Sequence, residues 1–384
     1  MDFKLSRENA MIKDAIYDWV SKECTRDVIS DMDERNEFPA KLAKKLSQLG
    51  FCGMMIPEEI GGEGCNVLGA CIVTETIAAA YPALARWYTG PTFYGGAVIS
   101  ALGSEHQKQT YLPKCAAGKL AVALAHTETD ADPDPARIQT SAKKRGDQFR
   151  VSGEKQYISN ADKADLLLVA AQQENSDPED QAFSFFCINR QTPGMTIEPV
   201  EKLGYKGTNF CRVRIDAVAI GKDDILGGPD KLGRGDQQWQ QILDIALLAV
   251  TSEAVGLAQG AFDYTLNYAR QRVQFGQVIG TFNVIRNMLA ELAYDIEAAR
   301  LLLYRAAWLA DQQQPFSREI SMAKCQASET ARRAAMDGLQ IYGGYGYTME
   351  YDIQRYVRDA MSLTTAGASL ESLKARIGAA YGLS

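Results

Sequence analysis

Gln148-Phe149-Arg150-Val151-Ser152 alternates polar and apolar residues with a period of two, and Ser152-Gly153-Glu154 follows with the residues of a turn. That pattern predicts a strand and a reversal of the chain. Outward from it, residues 156–159, 165–171, 183–189, 195–200 and 211–219 also read as strands, with Gly, Pro, Asn and Asp between them. Short strands at this spacing predict a sandwich or barrel rather than βαβ units. Residues 173–181 are polar and are expected to form a surface loop.

On both sides the period changes to that of a helix. Toward the N-terminus, residues 3–23 place Met11, Ala15, Ile16 and Trp19 on one side, and Phe38-Pro39 opens a second helix that Gly50 stops. A Gly- and Pro-rich loop covers residues 56–64, and helical patterns resume at 70–80, 96–102 and 106–112. Toward the C-terminus, long patterns at 239–270, 285–312 and 317–342 precede shorter ones at 348–361 and 369–381. Long helices with short connections predict a four-helix bundle. The expected class is α+β: an N-terminal helical domain (1–121), a middle β domain (122–228) and a C-terminal helical bundle (229–384).

Composition narrows the function. Hydrophobic residues at 46% and charged residues at 23% exclude a disordered, collagen-like or coiled-coil chain. A net charge of -7 leaves no basic nucleic-acid footprint. The two histidines, His106 and His126, argue against a His-based metal site or a Ser-His-Asp triad, so no metal is expected. The cysteines form no C-x-x-C pair and are expected to be buried thiols in a reducing compartment. The polar N-terminus, and the lack of an apolar run near the roughly 20 residues that span a bilayer, predict a cytoplasmic protein without membrane insertion.

Two Gly-rich pieces stand out. Arg270-Gln271-Arg272-Val273-Gln274-Phe275-Gly276 ends a long helix with cations that could clamp a phosphate; a solvated helix terminus would look the same. In Gln340-Ile341-Tyr342-Gly343-Gly344-Tyr345-Gly346-Tyr347 paired glycines would let backbone approach a ligand, or simply turn between helices. Neither fits a Rossmann fingerprint.

Taken in order with Pro57-Glu58-Glu59, Gly61-Gly62, Gly103-Ser104-Glu105-x-Gln107, Thr127-Glu128, Gly153-Glu154-Lys155-Gln156-Tyr157-Ile158-Ser159-Asn160 and Arg355-x-x-Arg358-Asp359-Ala360, these pieces give a chain that resembles the acyl-CoA dehydrogenase family over its whole length. The resemblance implies FAD at a dimer interface within a homotetramer, an acyl-CoA substrate, and compatibility with an electron-transfer flavoprotein as redox partner. It implies that Arg272 contacts the pyrophosphate with Phe275 packed beside it, and that Gln340, Gly343 and Gly344 reach the FAD of a neighbouring subunit. Thr127 joins the cofactor set. Tyr157 stands at the aromatic position, usually Trp, near the isoalloxazine ring, and Ser159, usually Thr, near flavin N5.

The chain departs from the family where the chemistry is done. The family's carboxylate base falls on Gly367, and its alternative position on Ala246. The family's Gly-Ala-Gly-Ser-Asp loop is Asp130-Ala131-Asp132-Pro133-Asp134, and Leu247 replaces an Arg used toward CoA while Asp244 remains as a substrate-binding candidate. Arg86 lies in a segment that lines the acyl pocket in this family, and relatives that act on acidic acyl groups carry an Arg nearby. It is therefore a candidate partner for a substrate carboxylate or sulfinate, or a surface Arg at a helix end. Tyr88 and Tyr94, in the same segment, are candidates to donate or relay protons. Three functions stay open: an FAD-dependent acyl-CoA oxidoreductase with a non-standard base, working toward dehydrogenation or reduction; a non-oxidising decarboxylase or desulfinase; and a base-less subunit of a heteromeric acyl-CoA dehydrogenase.

Overall fold

The computed structural model describes residues 4–129, 138–173 and 182–383. The N-terminal part is built from α1 (Arg7–Glu23), α2 (Arg26–Arg35), α3 (Ala40–Ser47), α4 (Val67–Ala80), α5 (Pro82–Thr89), a π-helix (Gly90–Val98), α6 (Ile99–Leu102) and α7 (Glu105–Ala116). Side chains start several of these. Ser6 accepts from the Asn9 N–H and Asn66 from that of Gly69, each filling an orphan donor at an N-terminus. Ser104 and Gln107 form a reciprocal capping box. Gln107 is also buried, and its amide donates to the carbonyls of Asp223 (2.9 Å) and Ile225 (2.8 Å). One motif thus starts α7 and fastens it to the chain beyond the sheet.

The middle part holds β1 (Val122–Ala125), β2 (Ser141–Arg145), β3 (Gln148–Ser159), β4 (Leu166–Gln173), β5 (Phe183–Asn189), β6 (Met195–Val200) and β7 (Phe210–Ile220) in one sheet. β1 and β2 run parallel to β4 in succession along one edge, at residues 166–169 and 172–173, while β5 is antiparallel along the other. Side-chain alternation explains why β4 reads as a continuous apolar run. Leu166, Leu168 and Ala170 enter the core shared with the helices, whereas Leu167, Val169 and Ala171 enter a second core with Phe149, Val151, Phe186 and Val213. A strand buried on both faces loses the polar half of its pattern.

The expected reversal at Ser152-Gly153-Glu154 is absent. β3 runs unbroken through it, and the signal marks a β-bulge, one of two register shifts against β7: between Val151 and Gly153, and between Lys155 and Ile158.

The C-terminal part contains α8 (Gly235–Gln271), a two-stranded hairpin of β8 (Val273–Gln274) and β9 (Gln277–Val278), α9 (Asn283–Asp311), α10 (Ser317–Tyr342), α11 (Ile353–Leu363) and α12 (Leu370–Ala380). α8 is long and apolar enough to cross a bilayer, yet 89% of its most apolar window is buried inside the fold. α4 lies against it. A Cβ on Gly256 would sit 2.1 Å from the Glu75 carbonyl oxygen, and one on Gly260 2.0 Å from that of Ala79. The glycines set this close approach, and it carries α5 and the π-helix to the mouth of the sheet.

Candidate active site

A cavity of about 490 Å³ opens between the sheet and α8. Leu124, His126, Thr127, Tyr157, Ile158, Ser159 and Phe210 line it from the sheet; Trp239, Ala246 and Val250 from α8; Ser362, Thr365, Ala366 and Gly367 from the end of α11 and the loop after it; Arg86 and Tyr94 from α5 and the π-helix. Sequence-predicted residues from three distant segments therefore meet here.

The sheet wall is shaped by a buried ion pair and a bulge. Lys155 Nζ lies 2.6 Å from Glu128 Oε1, which also accepts from Thr140 Oγ1 (2.6 Å). Burial alone would lift the Glu128 carboxyl; Lys155, with donors from Thr140 and Gln139, holds it below the ordinary range. The pair fixes the chain next to Thr127. The second β3 bulge puts Tyr157 at φ +57°, a conformation uncommon for an aromatic residue, and leaves it 63% exposed.

Arg86 is not a surface residue at a helix end. Its side chain is 7% exposed, and its Nε and Nη2 both donate to Glu253 Oε2, at 2.9 and 2.5 Å. Glu253, on α8, is fully buried. It also accepts from Tyr205 Oη (3.2 Å) and Thr89 Oγ1 (3.3 Å). The Tyr205 ring lies 4.5 Å under the guanidinium, and the Tyr205 N–H donates to Asp359. Asp359 of the Arg355-x-x-Arg358-Asp359 motif thus holds a tyrosine that holds Glu253. Burial lifts the Glu253 carboxyl, and Arg86 opposes that lift. Sequence reasoning missed Glu253, because its partner stands 167 residues away and no local pattern joins them.

Tyr88 is fully buried, donates to the Phe51 carbonyl (2.8 Å) and does not line the cavity. Tyr94 does line it, held there by the π-helix, a geometry often found at functional sites. Burial pushes the Tyr94 phenol up to about 12, Arg86 opposing. Asp244 is also placed away from the cavity: it accepts from Ser317 Oγ and from Arg376 Nη2 of α12, each at 2.5 Å. Gly367 and Ala246, where the resemblance puts a carboxylate, both line the cavity, and no Asp or Glu is found among the described lining residues. Gly367 adopts φ +81°, which a Glu there would strain to match. His126 is a second residue that the sequence did not flag. Its ring packs 4.7 Å from that of Trp239, and its buried Nδ1 has no partner. Burial and then Lys155 pull its pKa to about 3, so the imidazole is neutral.

A second cavity, of about 770 Å³, lies at the far end of α8 and is lined by Arg272, Phe275, Gly343, Gly344 and Tyr345 among others. The β8–β9 turn places Phe275 at φ +54° and Gly276 at φ +82°, the primed geometry of tight hairpins, and leaves the Phe275 ring 92% exposed. Arg272 lies 5.1 Å over the Tyr345 ring and has no carboxylate partner among the described residues. Gln340, by contrast, is on the exposed face of α10; its carbonyl accepts from the Gly343 N–H, and its side chain does not line the cavity. Asp130-Ala131-Asp132-Pro133-Asp134 lies outside the described residues.

Helices, a seven-stranded sheet and helices again enclose the central cavity between the sheet and the last helical unit. Family models for the acyl-CoA dehydrogenase N-terminal, middle and C-terminal domains match residues 6–119, 123–218 and 233–382. The chain belongs to the acyl-CoA dehydrogenase family, which is FAD-dependent. It is 35% identical over 94% of both chains to a protein of Bacillus subtilis named "Probable acyl-CoA dehydrogenase YngJ". It is 32% identical over 94% of both chains to CarC, a subunit of the caffeyl-CoA reductase-Etf complex of Acetobacterium woodii. The solved structure of a glutaryl-coenzyme A dehydrogenase in complex with glutaryl-CoA superposes with a TM-score of 0.94 at 33% identity, covering 100% of this chain and 98% of that one.

Proposed function

We propose that this protein interconverts an acyl-CoA and its α,β-unsaturated form with FAD, that reduction of the double bond is the favoured direction, and that Tyr94 carries the α-proton in place of a carboxylate. The observation that carries this is the lining of the central cavity: a protonated phenol beside a guanidinium, and no Asp or Glu among the described lining residues. When bound, FAD supplies the two-electron exchange with the substrate's β-carbon. The residues present fit that group. Thr127 and Ser159 offer hydroxyls on the sheet wall, and Tyr157 offers an aromatic face. Arg272, lacking a carboxylate partner, suits a diphosphate. The two cavities share no lining residue, which supports each FAD lying between two copies of the chain.

A phenol that ionises near 12 is in its acid form at neutral pH, the form that delivers a proton to the α-carbon during reduction. Oxidation needs the phenolate, a small fraction there. The CarC relative is a subunit of a reductase complex associated with Etf, which supports the same direction and an electron-transfer flavoprotein as electron source. The test is to mix photoreduced FAD-loaded protein with crotonyl-CoA without oxygen. Rapid return of the oxidised flavin band is expected. Tyr94→Phe should slow it by about 10²–10⁴-fold at equal flavin content. An unchanged rate would remove Tyr94 from the chemistry, and release of carbon dioxide or sulfite from an acidic thioester without any flavin change would favour the lyase.

A further inference from the structure

In most settings a buried arginine facing a substrate cavity would point to an anionic substrate. Here its charge is already spent within the protein. Arg86 Nε and Nη2 both donate to Glu253 Oε2. Thr89 and Tyr205 occupy further acceptor positions of the same carboxylate. Arg86 is the only Lys or Arg among the described residues lining the cavity. Two other buried cations are held elsewhere: Lys324 by the Leu363 carbonyl (2.7 Å) and Ser328 Oγ (2.9 Å), and Lys155 by Glu128 (2.6 Å). A substrate carboxylate would therefore be a second anion on one guanidinium, leaving an uncompensated negative charge in a buried site.

What the pair leaves over is hydrogen-bonding capacity without net charge. Arg86 Nη1 points to Ser159 Oγ at 3.5 Å, the limit of a hydrogen bond, so its protons are barely used. Tyr94 lines the same cavity and brings a phenol to it. Apolar walls of Leu124, Ile158, Phe210 and Val250 surround them. Buried polar atoms without partners cost stability unless a ligand satisfies them.

We propose that the Arg86–Glu253 pair makes this pocket a neutral polar reader, selecting CoA thioesters whose acyl group carries an uncharged hydroxyl or carbonyl and rejecting those that end in a carboxylate. The proposal rests on the acyl-CoA reading above and adds the substrate class. Glu253 acts through Arg86 and is a specificity-positioning residue. It runs against the sequence expectation that Arg86 pairs with an acidic acyl tail.

The test uses FAD-loaded protein and three thioesters of equal length: pentanoyl-CoA, 5-hydroxypentanoyl-CoA and glutaryl-CoA, with affinity read from the flavin absorbance change on binding. The hydroxy compound should bind best, and glutaryl-CoA at least about tenfold more weakly than it, a difference of about 1.4 kcal/mol. In Glu253→Gln the guanidinium loses its counter-ion, and the glutaryl-to-hydroxypentanoyl ratio should shift by about tenfold or more toward glutaryl-CoA. Glu253→Asp, which keeps the charge, should stay close to the unmodified order. If Glu253→Gln does not fold, the ranking by the unmodified protein decides alone. A preference of the unmodified protein for glutaryl-CoA, or a ratio unmoved in folded Glu253→Gln, would overturn the proposal. Silence from all three thioesters would overturn the acyl-CoA reading itself and this one with it.

Discussion

Two arginines face two cavities in this protein and are prepared in opposite ways. Arg86 is buried, forked onto Glu253 and supported from below by the Tyr205 ring. Arg272 lies half-buried over Tyr345, at the tip of a 37-residue helix, with no carboxylate partner among the described residues. A guanidinium over an aromatic ring with its fork free is an anion receptor, whereas one that shares its charge with a buried carboxylate is a neutral dipole. On the proposed function, the difference separates a diphosphate-binding end from a substrate end within one chain.

The contrast can be broken from the Arg86 side first, where the effect is largest. Arg86→Met strands Glu253 without its counter-charge, and stability should fall by about 3–5 kcal/mol. Arg86→Met combined with Glu253→Met removes both charges and should recover most of that loss. Urea midpoints of the single and double variants would show it; equal losses would mean that the pair is not a unit. On the other side, Arg272→Ala should leave the fold intact and weaken FAD retention by about 1.5–3 kcal/mol, the worth of a charge-assisted contact. Flavin titration of the apoprotein checks this, and an unchanged affinity would make Arg272 an ordinary helix-end cation. The smallest effect is expected for Tyr345→Leu. Losing the ring beneath Arg272 should cost about 0.5–1 kcal/mol of FAD affinity, by the same titration.

The same contrast explains what the sequence could and could not reveal. The Arg272 end is local: arginine, hairpin and exposed aromatic occur within residues 272–278, and the Gly343-Gly344 turn is a short motif of its own. The zoning into helix, sheet and helix was likewise legible, because hydrophobic period survives in most elements and β4, buried on both faces, still reads as a short apolar run. The Arg86 end is assembled from afar. α5 and the π-helix are short and almost wholly buried, so they carry no amphipathic stripe to announce them. Glu253 sits in an apolar helix with nothing nearby to mark it as a counter-ion. His126 was legible only as one of two histidines, and the β1–β3 geometry that brings it to Trp239 is tertiary. Gly153 was read as a turn and is a bulge within an unbroken strand, because both features use the same residue for the same freedom of backbone.

The central claim is that a tyrosine, not a carboxylate, handles the α-proton. Its most direct test is the pH dependence of anaerobic flavin bleaching by a saturated thioester in a single turnover. Oxidation requires the Tyr94 phenolate, and burial has raised the phenol to about 12. Below that value the competent fraction grows tenfold for each unit of pH, so the bleaching rate should climb steadily from pH 7 to pH 10 and lose this climb in Tyr94→Phe. A carboxylate base is already ionised above pH 6 or so. A rate that is flat between pH 7 and pH 10 would contradict the account and return the chemistry to an acidic residue.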